Sequence, residues 1–154
     1  MMTRISESAI EDLTIQRLME QGYAYTPGPE IAPDGRSPLR ASYEGVLLLD
    51  QVKSTIDRLN PGVPPAARAE ALRQIQRFHA PELVANNEAF HRLLTEGVNV
   101  TYQQEGYPRG DYVWLIDFAH PENNEFTAVN QFTVLENGVN KRPDIVLFVN
   151  GLPL

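Results

Sequence analysis

The 154-residue sequence predicts an α/β fold in which a mixed β-sheet is flanked by N-terminal helices. Two observations lead to this prediction. Helix signals, chiefly apolar residues spaced three or four apart, predominate in residues 1–97 outside a proline-rich loop, whereas from residue 98 onward apolar residues alternate with polar ones or form short dense runs. We therefore divide a single domain into a helical part, residues 1–97, and a sheet part, residues 98–154.

The first predicted helix begins near Ser8 and ends near Gly22. Ser8 and Glu11 have the spacing of a capping box, in which each side chain bonds a free backbone N–H group at the start of a helix. The helix is expected to turn an apolar face made of Ile10, Leu13 and Leu18 toward the core. A glycine such as Gly22 commonly ends a helix.

Three more helices follow a loop that contains four prolines between residues 26 and 38. Their apolar spacing and flanking prolines place them at residues 46–59, at residues 64–75 and from about Pro81 to Gly97.

Four strands are predicted in the sheet part, at residues 98–102, 112–118, 126–135 and 145–149. Asn137-Gly138 and Asn150-Gly151 are strong signals for tight hairpin turns. Trp114 and the tyrosines near it occupy apolar strand positions and are predicted to lie in the core. The sequence reaches Leu154 where a partner strand should be starting, so we expect it to be a truncated or trimmed piece of a longer chain.

The composition is typical of a soluble cytoplasmic protein. The sequence has no cysteine, which excludes disulfides and thiolate metal sites, and no apolar run of the roughly 20 residues that a membrane span needs. Its formal net charge of -7 is unusual for a protein that binds DNA, because binding depends largely on Lys and Arg. It does not exclude a nuclease, whose active site is itself acidic.

Residues 142–154 read RPDIVLFVNGLPL and resemble the first half of the signature of type I restriction subunits, which are PD-(D/E)xK nucleases. Other segments that resemble this family follow the same order along nearly the whole chain. They are Gly22-Tyr23, Arg58-Leu59-Asn60-Pro61, Asn87, Phe90-His91, Leu94, Gly97-Val98, Ile116-Asp117-Phe118 and Val129-Asn130-Gln131-Phe132. The sequence is therefore similar to the N-terminal endonuclease domain of the restriction (R) subunit, with a restriction-endonuclease-like core that is incomplete at its C-terminus.

The resemblance implies a metal site at Asp144. In such nucleases an aspartate opens one strand and a Glu-x-Lys pair on the next strand faces it, so Asp144 is expected to bind a divalent metal, Mg²⁺, beside the scissile phosphate. Glu11 resembles the acidic residue of the family's first helix and is a second candidate catalytic residue and metal ligand. The alternative for Glu11 is the capping box with Ser8. The Glu-x-Lys half should lie beyond Leu154, so the fragment is expected to be inactive.

Other polar residues have weaker support. Gln131, Lys141 and Arg142 are candidate DNA contacts, although sheet hydrogen bonds or plain surface exposure account for them equally well. Arg40 is a weaker phosphate candidate. No phosphate-binding loop of the Gly-x-x-x-x-Gly-Lys-Ser/Thr type occurs, so the ATP that the resemblance implies would be bound by later domains.

The partners that the resemblance implies are double-stranded DNA, the methylation and specificity subunits of a type I complex, and the motor domains of the same subunit. No membrane partner is expected. The alternative hypothesis is a non-catalytic docking or structural module of the same subunit, in which the acidic surface packs against the motor domains and the nuclease signature is a relic.

Overall fold

The computed structural model describes residues 5–77 and 83–154. The chain divides into two compact units, one formed by residues 1–50 with 125–154 and the other by residues 51–124. The division into residues 1–97 and 98–154 concerned the helical and sheet parts of one domain and stays a prediction.

Five α-helices and eight strands lie within the described ranges. The helices are α1 (Glu7–Glu20), α2 (Gly28–Ile31), α3 (Leu49–Leu59), α4 (Pro65–Gln76) and α5 (Leu83–Glu96). The strands are β1 (Ala24–Pro27), β2 (Val98–Gln104), β3 (Tyr107–Val113), β4 (Phe126–Asn130), β5 (Val134–Glu136), β6 (Val139–Lys141), β7 (Ile145–Val149) and β8 (Leu152–Pro153). The start predicted for the fourth helix, at Pro81, lies outside the described residues.

The first unit contains the mixed sheet that the sequence predicts. Its strand order is β1-β4-β7-β8, with β1 parallel to β4 and the other pairs antiparallel. The expectation that every strand from residue 98 onward joins this one sheet is wrong. β2 pairs only with β3, and β5 only with β6, so each of these pairs is a separate two-stranded hairpin among the described strands. The α/β class and the mixed sheet are thus confirmed, but the sheet is smaller than predicted.

Tight turns set the strand boundaries. Asn137 and Gly138 have φ values of 51° and 75°, and Asn150 and Gly151 have 53° and 82°. Two consecutive positive φ values are what the favoured two-residue hairpin turn requires, so both predicted turns are confirmed. Gln131, at φ 48°, interrupts the strand predicted over residues 126–135 and divides it into β4 and β5.

One buried apolar cluster of the first unit lies on one face of β4 and β7. Val129 and Phe148 pack there with Ile31, Leu48 and Phe132, and all five side chains are buried. The Phe132 and Phe148 rings meet edge to face, with centroids 5.3 Å apart, a geometry that favours aromatic pairs. This packing fixes the chain immediately after Gln131, because Phe132 is the next residue.

Helix α1 differs from its prediction in both its cap and its buried face. The N-cap is Ser6, whose hydroxyl oxygen accepts a hydrogen bond from Ala9 N at 3.2 Å, so the predicted capping box of Ser8 with Glu11 is wrong. Ile10 and Leu13 are each 55% exposed, whereas Ile15 is buried. Serines two residues apart offer two cap positions, and the helix uses the earlier one.

The second unit is built from α3, α4 and the β2–β3 hairpin. Most of α3 belongs to it, and α4 packs against β2. Asn60 connects the helices to the strand region, because its amide donates to Trp114 O at 2.9 Å and its Oδ1 accepts from Trp114 N at 2.7 Å. Trp114 is nevertheless 45% exposed and stacks on the exposed Tyr112, so the prediction that it lies in the core is wrong. β3 ends at Val113, one residue before it, and the buried side chains on either side are Val113 and Leu115.

No helix within the described residues is long and apolar enough to cross a membrane.

Candidate active site

Glu11 lies on α1 with its half-buried carboxylate against the end of β4. One carboxylate oxygen accepts a hydrogen bond from Asn130 Nδ2 at 2.9 Å, and the other accepts from Gln131 Nε2 at 2.8 Å. Both donors are neutral amides. These two hydrogen bonds join residues about 120 positions apart in the sequence. Glu11 makes these contacts instead of the capping box with Ser8, which was the alternative for this residue.

Asn130 is held in place from several sides. It is the last residue of β4 and lies between Pro27 of β1 and Ile145 of β7. Its Oδ1 also accepts a hydrogen bond from Gly28 N at 3.2 Å, so the two ends of the amide bind different elements. The backbone must pass close to make this contact. A Cβ atom at Gly28 would lie 2.1 Å from Asn130 O, which explains why a glycine occupies this position.

Gln131 connects Glu11 to Asp144. Its backbone φ of 48° lies in the left-handed region, which residues other than glycine, Asn and Asp adopt uncommonly. Its side chain binds Glu11, and its backbone N donates to Asp144 O at 2.9 Å. Asp144 immediately precedes β7 and is exposed. The two residues that the resemblance implies as metal ligands, Glu11 and Asp144, therefore both contact Gln131.

The surroundings of Glu11 are acidic. Burial raises the pKa of the Tyr25 hydroxyl above its ordinary value, and the nearby negative charges of Glu11, Asp12 and Glu30 raise it further. Across residues 5–77 and 83–154, no Lys or Arg forms an ion pair with Glu11 or Asp144. A carboxylate without a basic partner favours the approach of a cation.

The donor set fits part of a magnesium site. Mg²⁺ prefers oxygen ligands and commonly relies on one or two carboxylates, waters and substrate phosphate. Each Glu11 oxygen accepts one amide hydrogen bond and keeps a second lone pair, and the carboxylate of Asp144 is exposed. The described residues contain no group of three or more His, Cys, Asp or Glu side chains that is able to hold a metal ion. Glu11 and Asp144 therefore have the oxygen donors for one side of such a site, and their role as metal ligands stays a prediction.

The cationic candidates also belong to the first unit. Lys141 on β6 forms an ion pair with Glu136 on β5, and Arg142 is exposed. Arg40 is only 6% exposed and donates hydrogen bonds to backbone carbonyl oxygens of Tyr43, Gly45 and Thr133. Arg40 is therefore part of the interior, where it holds a loop, and is not available to a phosphate. Lys141, Arg142 and Gln131 stay predictions as DNA contacts.

Sequence reasoning missed Gly28, which backs directly onto the Asn130 and Gln131 carbonyl oxygens. The segment from Thr26 to Pro38 is rich in proline and glycine and was predicted only as an irregular loop. A glycine next to a proline is the usual composition of a turn, so no local signal marks this one as a packing contact.

Comparison with known proteins gives consistent matches along the chain. The family model described as type I restriction enzyme R protein N terminus matches residues 4–154. The chain is 37% identical, over 97% of its length, to the type I restriction enzyme HindI endonuclease subunit of Haemophilus influenzae. It is 32% identical, over 94% of its length, to the putative type I restriction enzyme MjaIXP endonuclease subunit of Methanocaldococcus jannaschii. The chain spans 14% of the length of each of these relatives.

Proposed function

Since the chain belongs to the family of type I restriction enzyme R protein N-terminal regions, we propose that it is the metal-dependent endonuclease domain of an R subunit. Its proposed substrate is double-stranded DNA. The observation that supports the proposal is that Gln131 bonds both the Glu11 carboxylate and the backbone carbonyl of Asp144, so two distant segments that carry acidic residues meet at the end of β4. Both relatives are named as endonuclease subunits.

Asp144 and Glu11 are the proposed Mg²⁺ ligands of this chain. A bound Mg²⁺ supplies charge that polarises the scissile phosphate and lowers the pKa of a coordinated water. The role of Asp144 is to bind the ion from an exposed position at the start of β7, and the role of Glu11 is to bind the ion or to accept a proton from its water. The 154 residues contain no Glu-x-Lys sequence, so we expect the chain by itself not to cleave DNA.

In the complete subunit this domain acts within a cytoplasmic complex of restriction, methylation and specificity subunits. ATP binding and translocation belong to the motor domains of the subunit. The net charge of -7 supports this division of work, because DNA binding at physiological salt needs the Lys and Arg residues that other parts of the complex would provide.

The same charge favours a second candidate function, a non-catalytic docking module whose acidic surface packs against the motor domains. The two candidates differ in what the loss of Asp144 does. In the docking module Asp144 has no chemical role, whereas in the nuclease it holds the metal.

The test is Asp144→Ala in the complete R subunit assembled with its partner subunits. We expect double-strand cleavage to be abolished while ATP hydrolysis and translocation persist, because the substitution removes a metal ligand and no motor element. Glu44→Ala is the matched control, since Glu44 is an exposed carboxylate of the same unit. Cleavage by the Asp144 variant at the wild-type rate would support the docking module.

A second arm uses the 154-residue chain in a plasmid-nicking assay with Mg²⁺ or Mn²⁺. No nicking is expected. Robust nicking that survives repurification and is lost on Asp144→Ala would contradict the expectation, because it requires a complete active site in this chain.

A further inference from the structure

We propose that Asn130 and Gln131 are positioning residues that hold the Glu11 carboxylate in a single orientation at the end of β4, where Gln131 also bonds the backbone of Asp144. This inference rests on the proposed function, because it concerns the metal site to which Glu11 and Asp144 are assigned. Neither amide is assigned as a metal ligand. Their role is to fix a carboxylate that is otherwise free to rotate.

The first step is the pairing of one donor with each oxygen. A glutamate carboxylate rotates readily about its last side-chain bond, where the torsional preference is broad. With Asn130 Nδ2 on one oxygen at 2.9 Å and Gln131 Nε2 on the other at 2.8 Å, that rotation breaks two hydrogen bonds at once. The lone pairs that remain on Glu11 then point in fixed directions, which a metal ion or its bound water requires.

The second step is the backbone of Gln131. Successive side chains of a strand point to opposite faces of the sheet, so neighbours on a continuous β4 would not both reach one carboxylate. The left-handed φ of 48° at Gln131 ends the strand and lets its amide join that of Asn130 on Glu11. An uncommon backbone conformation of this kind persists where the surroundings over-determine it, and such positions cluster at functional sites.

The third step is what holds the amides. Asn130 is fixed by strand pairing on both sides and by the hydrogen bond from Gly28 N to its Oδ1. Gln131 is fixed by the hydrogen bond from its N to Asp144 O and by the buried ring of Phe132 that follows it. The Gln131 backbone and side chain thus join the elements that carry Asp144 and Glu11.

The first readout needs no metal. In nuclear magnetic resonance relaxation measurements on the 154-residue chain, we expect the Gln131 side-chain amide to be rigid on the picosecond to nanosecond timescale. The amide of the exposed Gln103 is the mobile reference. In Glu11→Ala the Gln131 amide should become as mobile as that of Gln103. Equal mobility of the two amides in the wild-type chain would overturn the proposal.

The second readout is the affinity for Mn²⁺ alone, measured from its paramagnetic broadening of resonances around Glu11 and Asp144. Gln131→Gly keeps the left-handed backbone accessible and removes only the amide, so the fold should survive it. We expect the Mn²⁺ affinity to fall about tenfold, the size of effect usual when a group that orients a metal ligand is lost. The urea midpoint of the same variant reports whether the fold is intact.

The outcomes separate this inference from the proposed function. If Mn²⁺ binding is lost in Asp144→Ala but unchanged in Gln131→Gly, the positioning role is overturned while the metal site stands. If Mn²⁺ leaves these resonances of the wild-type chain unaffected at millimolar concentrations, the metal assignment fails and the positioning role toward it fails as well.

Discussion

Replacement of Arg40 by methionine should destabilise the protein strongly, although Arg40 contacts none of the candidate site residues. The guanidinium lies 3.9 Å from the centroid of the Phe132 ring and donates to Gly45 O at 2.9 Å and to Thr133 O. Burial lowers its pKa below the ordinary value, and the nearby Tyr43 partly opposes this shift. The residue remains a cation at neutral pH, since an arginine side chain stays protonated in proteins.

The magnitude follows from the groups that lose their partner. Tyr43 O also accepts from Leu135 N at 2.9 Å and keeps a partner, so the carbonyls at risk are those of Gly45 and Thr133. Each of these half-buried carbonyls costs about 1 kcal/mol when it is left unsatisfied, the lower end of the range for buried groups. The cation–π contact adds about 0.5–2 kcal/mol. Methionine also removes the cost of burying a positive charge, and this gain offsets part of the sum. We therefore expect the free energy of unfolding to fall by about 3 kcal/mol.

The assay is urea unfolding at pH 7 followed by circular dichroism, with thermal unfolding as a second measure. A loss of about 3 kcal/mol corresponds to a melting temperature lower by about 6–12 °C for a chain of this size. Arg36→Met is the matched control, because Arg36 is exposed in the same segment of the chain. If the Arg40 and Arg36 variants both lose less than about 1 kcal/mol, a typical surface effect, the bonds to Gly45 and Thr133 do not stabilise the loop.

Two further predictions concern single contacts. Gly28→Ala should destabilise the protein by about 2–3 kcal/mol in urea unfolding, because the new Cβ would lie 2.1 Å from Asn130 O and the backbone must shift. Asp117→Asn should destabilise the protein at pH 7 but not at strongly acidic pH. The pKa of Asp117 lies below its ordinary value of 3.8, chiefly because the Asn123 side chain donates a hydrogen bond to it. The ionised Asp117 therefore stabilises the fold fully above that pH, and this stabilisation is lost as the pH falls through the lower folded-state pKa.

The controls for these two variants come from the same chain. Gly62→Ala introduces a Cβ that meets nothing within 4 Å and should leave stability unchanged or slightly raised. A Gly28 variant as stable as the Gly62 variant would mean that the turn after β1 moves aside freely. For Asp117→Asn, the difference in the free energy of unfolding from wild type should be followed from pH 7 to pH 2. A difference that stays constant would exclude ionisation of Asp117 as the source of the stabilisation.

The elements that sequence predicts well here are those with local causes. Helices α3 and α4 follow the three-and-four spacing of apolar residues, and both Asn-Gly turns need only their own two residues. The turn at Glu105 and Gly106 has the same pair of positive φ values, 53° and 82°, but glutamate is not a typical residue for it. The second strand of the β2–β3 hairpin was therefore predicted at residues 112–118, later in the chain than β3.

Elements with distant causes escape this reasoning. β1 has only four residues and ends in a proline, and it becomes a strand because it pairs with β4 about 100 positions later. The amide contacts of Glu11 are of the same kind. Glu11 and Asp144 were singled out through the family resemblance and stay predictions as metal ligands. The left-handed turn at Gln131 has no signal in the sequence, because glutamine is not among the residues that favour it.

The parallel pairing of β1 with β4 has a consequence for the order of events during synthesis. Glu11 and β1 leave the ribosome long before residues 127–130, which β1 needs as its partner. Contacts between distant segments form late in folding because a long loop must close first. The site around Glu11 therefore cannot exist on a nascent chain that holds only α1 and β1. The contacts of Glu11 form only after both distant segments have folded together, so the proposed cleavage chemistry depends on the folding of the first unit.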